Sequence, residues 1–70
     1  MEVIYLNKVK GYRNMLNFNQ QEMAELLGIS KQAYWNKENG KNEFSDKEKV
    51  IIKRILEPFF PKISIDEIFF

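Results

Sequence analysis

Seventy residues suffice for one domain with a small core, because a chain of this length buries only about 60% of the surface its unfolded form exposes. With no cysteine and no histidine, disulfides and thiolate metal sites are excluded and no nucleophile–base pair stands out, so an enzyme is the weakest functional class. Eleven basic against ten acidic residues give a formal charge of +1, which excludes the strongly basic balance of a nonspecific nucleic-acid binder.

Split at Phe44, the first part carries six basic and five acidic residues and the second five of each. There is thus no basic tail, and any phosphate affinity must come from where individual groups point. The opening MEVIYLNKVK has an early Glu2 and no long apolar run, so it reads as neither signal peptide nor membrane span, and a cytosolic location is expected. Residues 1–5 are apolar and β-branched enough to extend as a strand.

From Tyr5, the spacing Tyr5, Val9, Tyr12, Leu16 runs four, three, four, the stripe of a first helix, with Lys8, Lys10 and Asn14 on its other faces. Gly11 within it costs roughly 1 kcal/mol against Ala. Asn17, which tolerates the left-handed conformation, ends this helix, and Phe18 packs from the loop into the core. Asn19 with Glu22 forms a capping box and opens a second helix whose buried face is Met23, Ala24 and Leu27. Ala24 is small where two helix axes must cross, Gly28 takes the positive φ that redirects the chain, and Ile29 plugs the corner.

Ser30 caps a third helix over residues 31–39, with Tyr34 on its buried side. After Gly40 the polar run KNE is a loop, and Ser45-Asp46-Lys47-Glu48 is a second capping box. It opens a fourth helix that Pro58 stops, with Val50, Ile51, Ile55 and Leu56 expected on the buried side. In the tail FFPKISIDEIFF, Pro61 holds a turn, and Ser64 with Glu67 repeats the capping pattern ahead of a short hydrophobic helix at Ile65, Ile68 and Phe69. The acidic residues Asp46, Glu48, Asp66 and Glu67 suit helix starts rather than a metal, and neither a cofactor nor a small-molecule substrate is expected. The expectation is an all-α, compact five-helix bundle forming one domain over residues 1–70.

The order Met23-Ala24, Leu27-Gly28-Ile29-Ser30 and Glu38-Asn39-Gly40, with Arg13 before it and Asn19-Gln20 at its start, resembles the helix-turn-helix of the lambda-repressor-like (Cro/repressor, XRE) regulators of prokaryotes and phages. The resemblance covers nearly the whole chain, and Ser64 to Phe69 look like the closing helix of small members. Lys37 departs from it, standing where the family has an apolar residue. Its carbon stem is expected to cover that position while the ammonium reaches water. The resemblance implies an ion pair between Arg13 and Glu38, with direct binding of phosphate by Arg13 as the alternative.

On a helix starting at Lys31, the residues Lys31, Gln32, Trp35 and Asn36 share one face. If that helix enters a major groove, Gln32 and Asn36 can pair with adenine and Lys31 can donate to guanine, each good pair being worth about 1–3 kcal/mol of discrimination. Trp35 is either a core residue, if the helix is rotated, or a contact to a thymine methyl, a sugar edge or another protein. Asn19, Gln20, Ser30, Asn39 and Lys41 are the expected phosphate contacts, from the dipole at the start of the second helix and from the family's pattern. For Asn19, a helix cap without a ligand is the competing role.

The expected partner is a double-stranded DNA operator bound by a homodimer, as for a phage or prophage repressor. Phe59, Phe60, Phe69 and Phe70 lie within twelve residues and are the expected dimer seam, unless they all close the monomer core. Some of them should be core in either case, Phe59 behind the fourth helix and Phe69 behind Ile65. The rival class is a protein-interaction module on the same scaffold, without DNA binding.

Overall fold

Four of the five helices begin where a side-chain oxygen accepts a hydrogen bond from a first-turn amide. In the computed structural model, which describes residues 7–70, Asn19 caps α2 (Gln20–Leu27) through Glu22 N at 2.8 Å, and Ser30 caps α3 (Lys31–Glu38) through Ala33 N at 3.1 Å. Ser45 caps α4 (Asp46–Leu56) and Ser64 caps α5 (Ile65–Phe69), each at 3.2 Å. At Asn19 and Ser45 the third helical residue closes a full capping box, since Glu22 and Glu48 accept from the cap's own N–H. α1 (Val9–Met15) has no such cap on its flanking residue Lys8, and its first amide donates instead to Asn7 Oδ1 at 3.1 Å.

The described residues thus form an all-α bundle of five helices, with no strand among them. α1 begins at Val9, later than a stripe counted from Tyr5 implies; Tyr5 and the extended reading of residues 1–5 lie outside the described residues. Asn17 takes φ 61° just after α1, and Gly28 takes φ 71° as the cap of α2, so each bend sits at a residue that tolerates the left-handed region. The start and end of the described chain are tied by Lys8 N, which donates to the Ile68 carbonyl at 2.9 Å.

Tyr34 is fully buried in a core it shares with Met23, Ala24 and Leu27 of α2 and with Ile52 and Leu56 of α4. Phe44, placed in the segment after Gly40, is also buried; its ring lies 6.1 Å from that of Tyr34 and 5.6 Å, edge-on, from that of Phe69.

The buried side of α4 differs from the expected one. Its inward stripe runs through Lys49, Ile52 and Leu56, at steps of three and four, which turns Val50 outward at 39% exposure and leaves Ile51 and Ile55 half-buried on the flanks. The tail differs too. Phe69 is buried against Phe44, but Phe59 points away from α4 and is 59% exposed, because the turn after Leu56 brings Phe60 rather than Phe59 against Tyr12, edge-on at 5.3 Å.

Candidate functional site

The end of α3 is held from the inside by one carboxylate. The Glu38 side chain is 0% exposed, and four N–H or O–H groups converge on it. Arg13 of α1 donates from Nε to Oε2 at 2.8 Å and from Nη2 to Oε1 at 3.1 Å, the two-point geometry that suits a planar guanidinium. Gln20 of α2 donates to Oε1 at 3.1 Å, and the Tyr34 hydroxyl, one turn earlier on α3, donates to Oε2. Arg13 Nη1 also donates to the Phe18 carbonyl at 2.8 Å. Three helices and a loop thereby meet at one charge.

Burial pushes the Glu38 carboxyl up, but hydrogen bonds from Arg13, Tyr34 and Gln20 outweigh it and hold the group below the usual carboxylate range. The hydrogen bond to Glu38 raises Arg13, against the effect of burial. Burial, followed by the bond to Glu38, pushes the Tyr34 phenol well above its ordinary value, so it remains a neutral donor. The ion pair implied by the family's pattern is therefore present. A guanidinium so enclosed does not point at a phosphate, so the alternative role for Arg13 falls away.

A second ion pair holds α3 from the other side. Lys37 does not send its ammonium to water; it donates to both Glu48 oxygens, at 2.6 and 2.7 Å, and so joins α3 to the first turn of α4. Burial raises the Glu48 carboxyl, yet the bond from Lys37, with help from Ser45, lowers it overall. A charge at this position is thus paired with the carboxylate of a capping box, and among the described residues no buried side-chain polar atom lacks a partner.

With its inner flank anchored, α3 turns Lys31 and Gln32 outward as exposed residues, with Asn36 half-buried beside them. Gln32 Nε2 donates to Asn36 Oδ1 at 3.1 Å, which leaves the Gln32 carbonyl as an acceptor and the Asn36 NH2 as a donor side by side. Trp35 is not in the core: it is 37% exposed, and Lys41 lies over its ring at 5.0 Å from the centroid. Lys31, Gln32 and Trp35 together line an open depression.

The expected phosphate contacts divide into two groups. Lys41 is exposed, and Ser30, while capping α3, keeps an exposed hydroxyl. Asn19 is the cap of α2, so its structural role is present. Gln20 turns its side-chain amide inward to Glu38, which leaves the first-turn backbone N–H, the group its expected role rests on, as its means of meeting a phosphate. Asn39 is exposed, and its Nδ2 donates to the Trp35 carbonyl at 2.9 Å and closes the end of α3.

Of the expected seam residues, Phe69 is excluded by burial and Phe60 is half-buried against Tyr12, while Phe59 and Phe70 are exposed. Tyr12 links two neighbouring apolar depressions, one with Phe59, Phe60 and Ile63, the other with Gly11 and the 66%-exposed Met15. Sequence reasoning did not place Met15, Phe44 or Glu48 in any of these roles. The four-residue spacings of Tyr34 with Glu38 and of Gln32 with Asn36 offered a hint of contact.

No group of histidine, cysteine, aspartate and glutamate among the described residues is arranged to hold a metal ion. No helix among them is long and apolar enough to cross a membrane. In comparison with known proteins, the chain matches no family model and no curated protein.

Proposed function

We propose that this chain is a sequence-specific, double-stranded-DNA-binding transcriptional regulator of the lambda-repressor-like kind, acting in the prokaryotic cytosol by occupying an operator and blocking or recruiting polymerase. The observation that carries the reading is the polarity of α3. Its inner flank is fixed by Tyr34 and by ion pairs to α1 and α4, while Lys31, Gln32 and Asn36 stand together on the outside. Side chains held this way lose little freedom when they meet base edges, so more of each hydrogen bond counts toward affinity.

One such unit covers few base pairs, and the proposed active form is a homodimer on two half-sites about 34 Å apart. Its proposed seam is the surface of Phe59 and Met15, both exposed, with the half-buried Tyr12 between their two depressions. That same surface favours the second reading, a protein-interaction module on a helix-turn-helix scaffold.

Selection of duplexes from a random double-stranded library, followed by a mobility shift of the recovered duplex across a salt series, separates the two. A DNA-binding regulator enriches a defined sequence and loses affinity steeply with salt. Absence of enrichment together with salt-independent behaviour overturns the reading in favour of the module.

A further inference from the structure

Trp35 is an expensive residue to leave half in water, and its surroundings restrict what can use it. The backbone beneath it is pinned, since Asn39 donates to the Trp35 carbonyl from both its amide side chain, at 2.9 Å, and its backbone N–H, at 3.0 Å. Lys41, brought back by a bond from its own N–H to the Asn36 carbonyl at 2.8 Å, sets its ammonium over the ring. From the other end of the helix Lys31 and Gln32 complete the depression. The indole is thus an apolar surface on a pinned backbone, with one ammonium over its ring and a second lysine lining the same depression, beside a pair of amides.

An ammonium over the ring and a second lysine lining the same depression favour a polyanion over an apolar protein surface. In a major groove the apolar group that a base pair offers is the C5-methyl of thymine. The neighbouring amides point the same way: the Gln32 carbonyl and the Asn36 NH2 match the donor and acceptor of adenine, so A·T pairs, and hence thymine methyls, are what this face should meet.

We propose that Trp35, with Gln32 and the stem of Lys31, forms a methyl-reading site that selects thymine in duplex DNA. The inference rests on the DNA-binding reading above and names its specificity-determining residue.

A duplex recovered by the wild-type chain from the random library is resynthesised with uracil replacing each thymine in turn, which removes only the methyl group. At one or two positions per half-site, uracil is expected to weaken wild-type binding about three- to fivefold, the equivalent of one buried methyl group. W35A should bind the thymine and uracil duplexes equally, whereas W35F, which keeps an aromatic ring, should retain part of the difference. Circular dichroism of W35A separates a lost contact from a lost fold, and if W35A does not fold, the wild-type uracil scan and W35F carry the test.

Tolerance of uracil at every position by the wild-type chain overturns the inference and leaves the DNA-binding reading standing. So does a uracil penalty of undiminished size in W35A or, where W35A does not fold, in W35F, since the methyl would then be read elsewhere. Failure to enrich any duplex overturns both.

Discussion

Replacing Glu38 by Gln keeps the side chain's shape and removes its charge, leaving the Arg13 guanidinium facing a neutral amide in a site where the partner side chain was 0% exposed. Breaking a buried pair from one side costs about 3–5 kcal/mol. Arg13 keeps its bond to the Phe18 carbonyl and a tenth of its side-chain surface in water, so the lower end, about 3 kcal/mol, is the expected loss. The Gln NH2 also replaces an acceptor with a donor, facing either the Tyr34 hydroxyl and Arg13 Nε or the Gln20 and Arg13 amino groups. A domain of this size has about 4–10 kcal/mol in all, so E38Q should lower the thermal midpoint by more than 10 °C. Thermal and urea denaturation followed by far-UV circular dichroism measures it, and a loss below about 1 kcal/mol would refute the view that this carboxylate holds α1, α2 and α3 together.

The same experiment has a pH signature. The Glu38 carboxyl is lower in the folded chain than in the unfolded one, so its stabilisation is fully present above the unfolded value, about 4.3, and is lost as pH falls through the folded value. Wild-type stability should decline through that acid window, and the decline should be shallower in E38Q. An acid limb of equal slope in both would assign acid unfolding to other carboxylates.

Gly11 is exposed on α1 and a Cβ built there meets nothing within 4 Å, so G11A should stabilise the fold by about 0.5–1 kcal/mol in urea denaturation. K37M strands the buried Glu48 carboxylate and should cost about 1–3 kcal/mol, most of it recovered in K37M/E48Q, as a double-mutant cycle would show. On the selected duplex Q32A and N36A should each weaken binding tenfold or more, and the double variant little further, because the two amides are bonded to each other and act as a unit; strictly additive losses in mobility shifts would contradict that. F59S should shift sedimentation velocity from dimer toward monomer while leaving the thermal midpoint nearly unchanged, since Phe59 packs little within its own chain.

Where α2, α4 and α5 begin was legible in the sequence, because a cap is a contact between residues three apart: Asn19 with Glu22, Ser45 with Glu48 and Ser64 with Glu67 need nothing beyond their own turn. The left-handed bends at Asn17 and Gly28 were legible for the same local reason. So was the outward face of α3, whose residues are related by helical periodicity alone.

Beyond the Arg13–Glu38 pair that the resemblance implied, the tertiary structure alone decided which distant polar groups meet. Gln20 lies 18 residues from Glu38, and Lys37 lies 11 from Glu48, spacings with no period to betray them. It also decided that Ile52 rather than Val50 faces inward, because the roll of α4 is set by what packs against it and several of its faces are apolar enough to serve. Local hydrogen bonding writes itself into short spacings; the meeting of distant charges depends on how the helices come to lie against one another, and a linear pattern does not carry that.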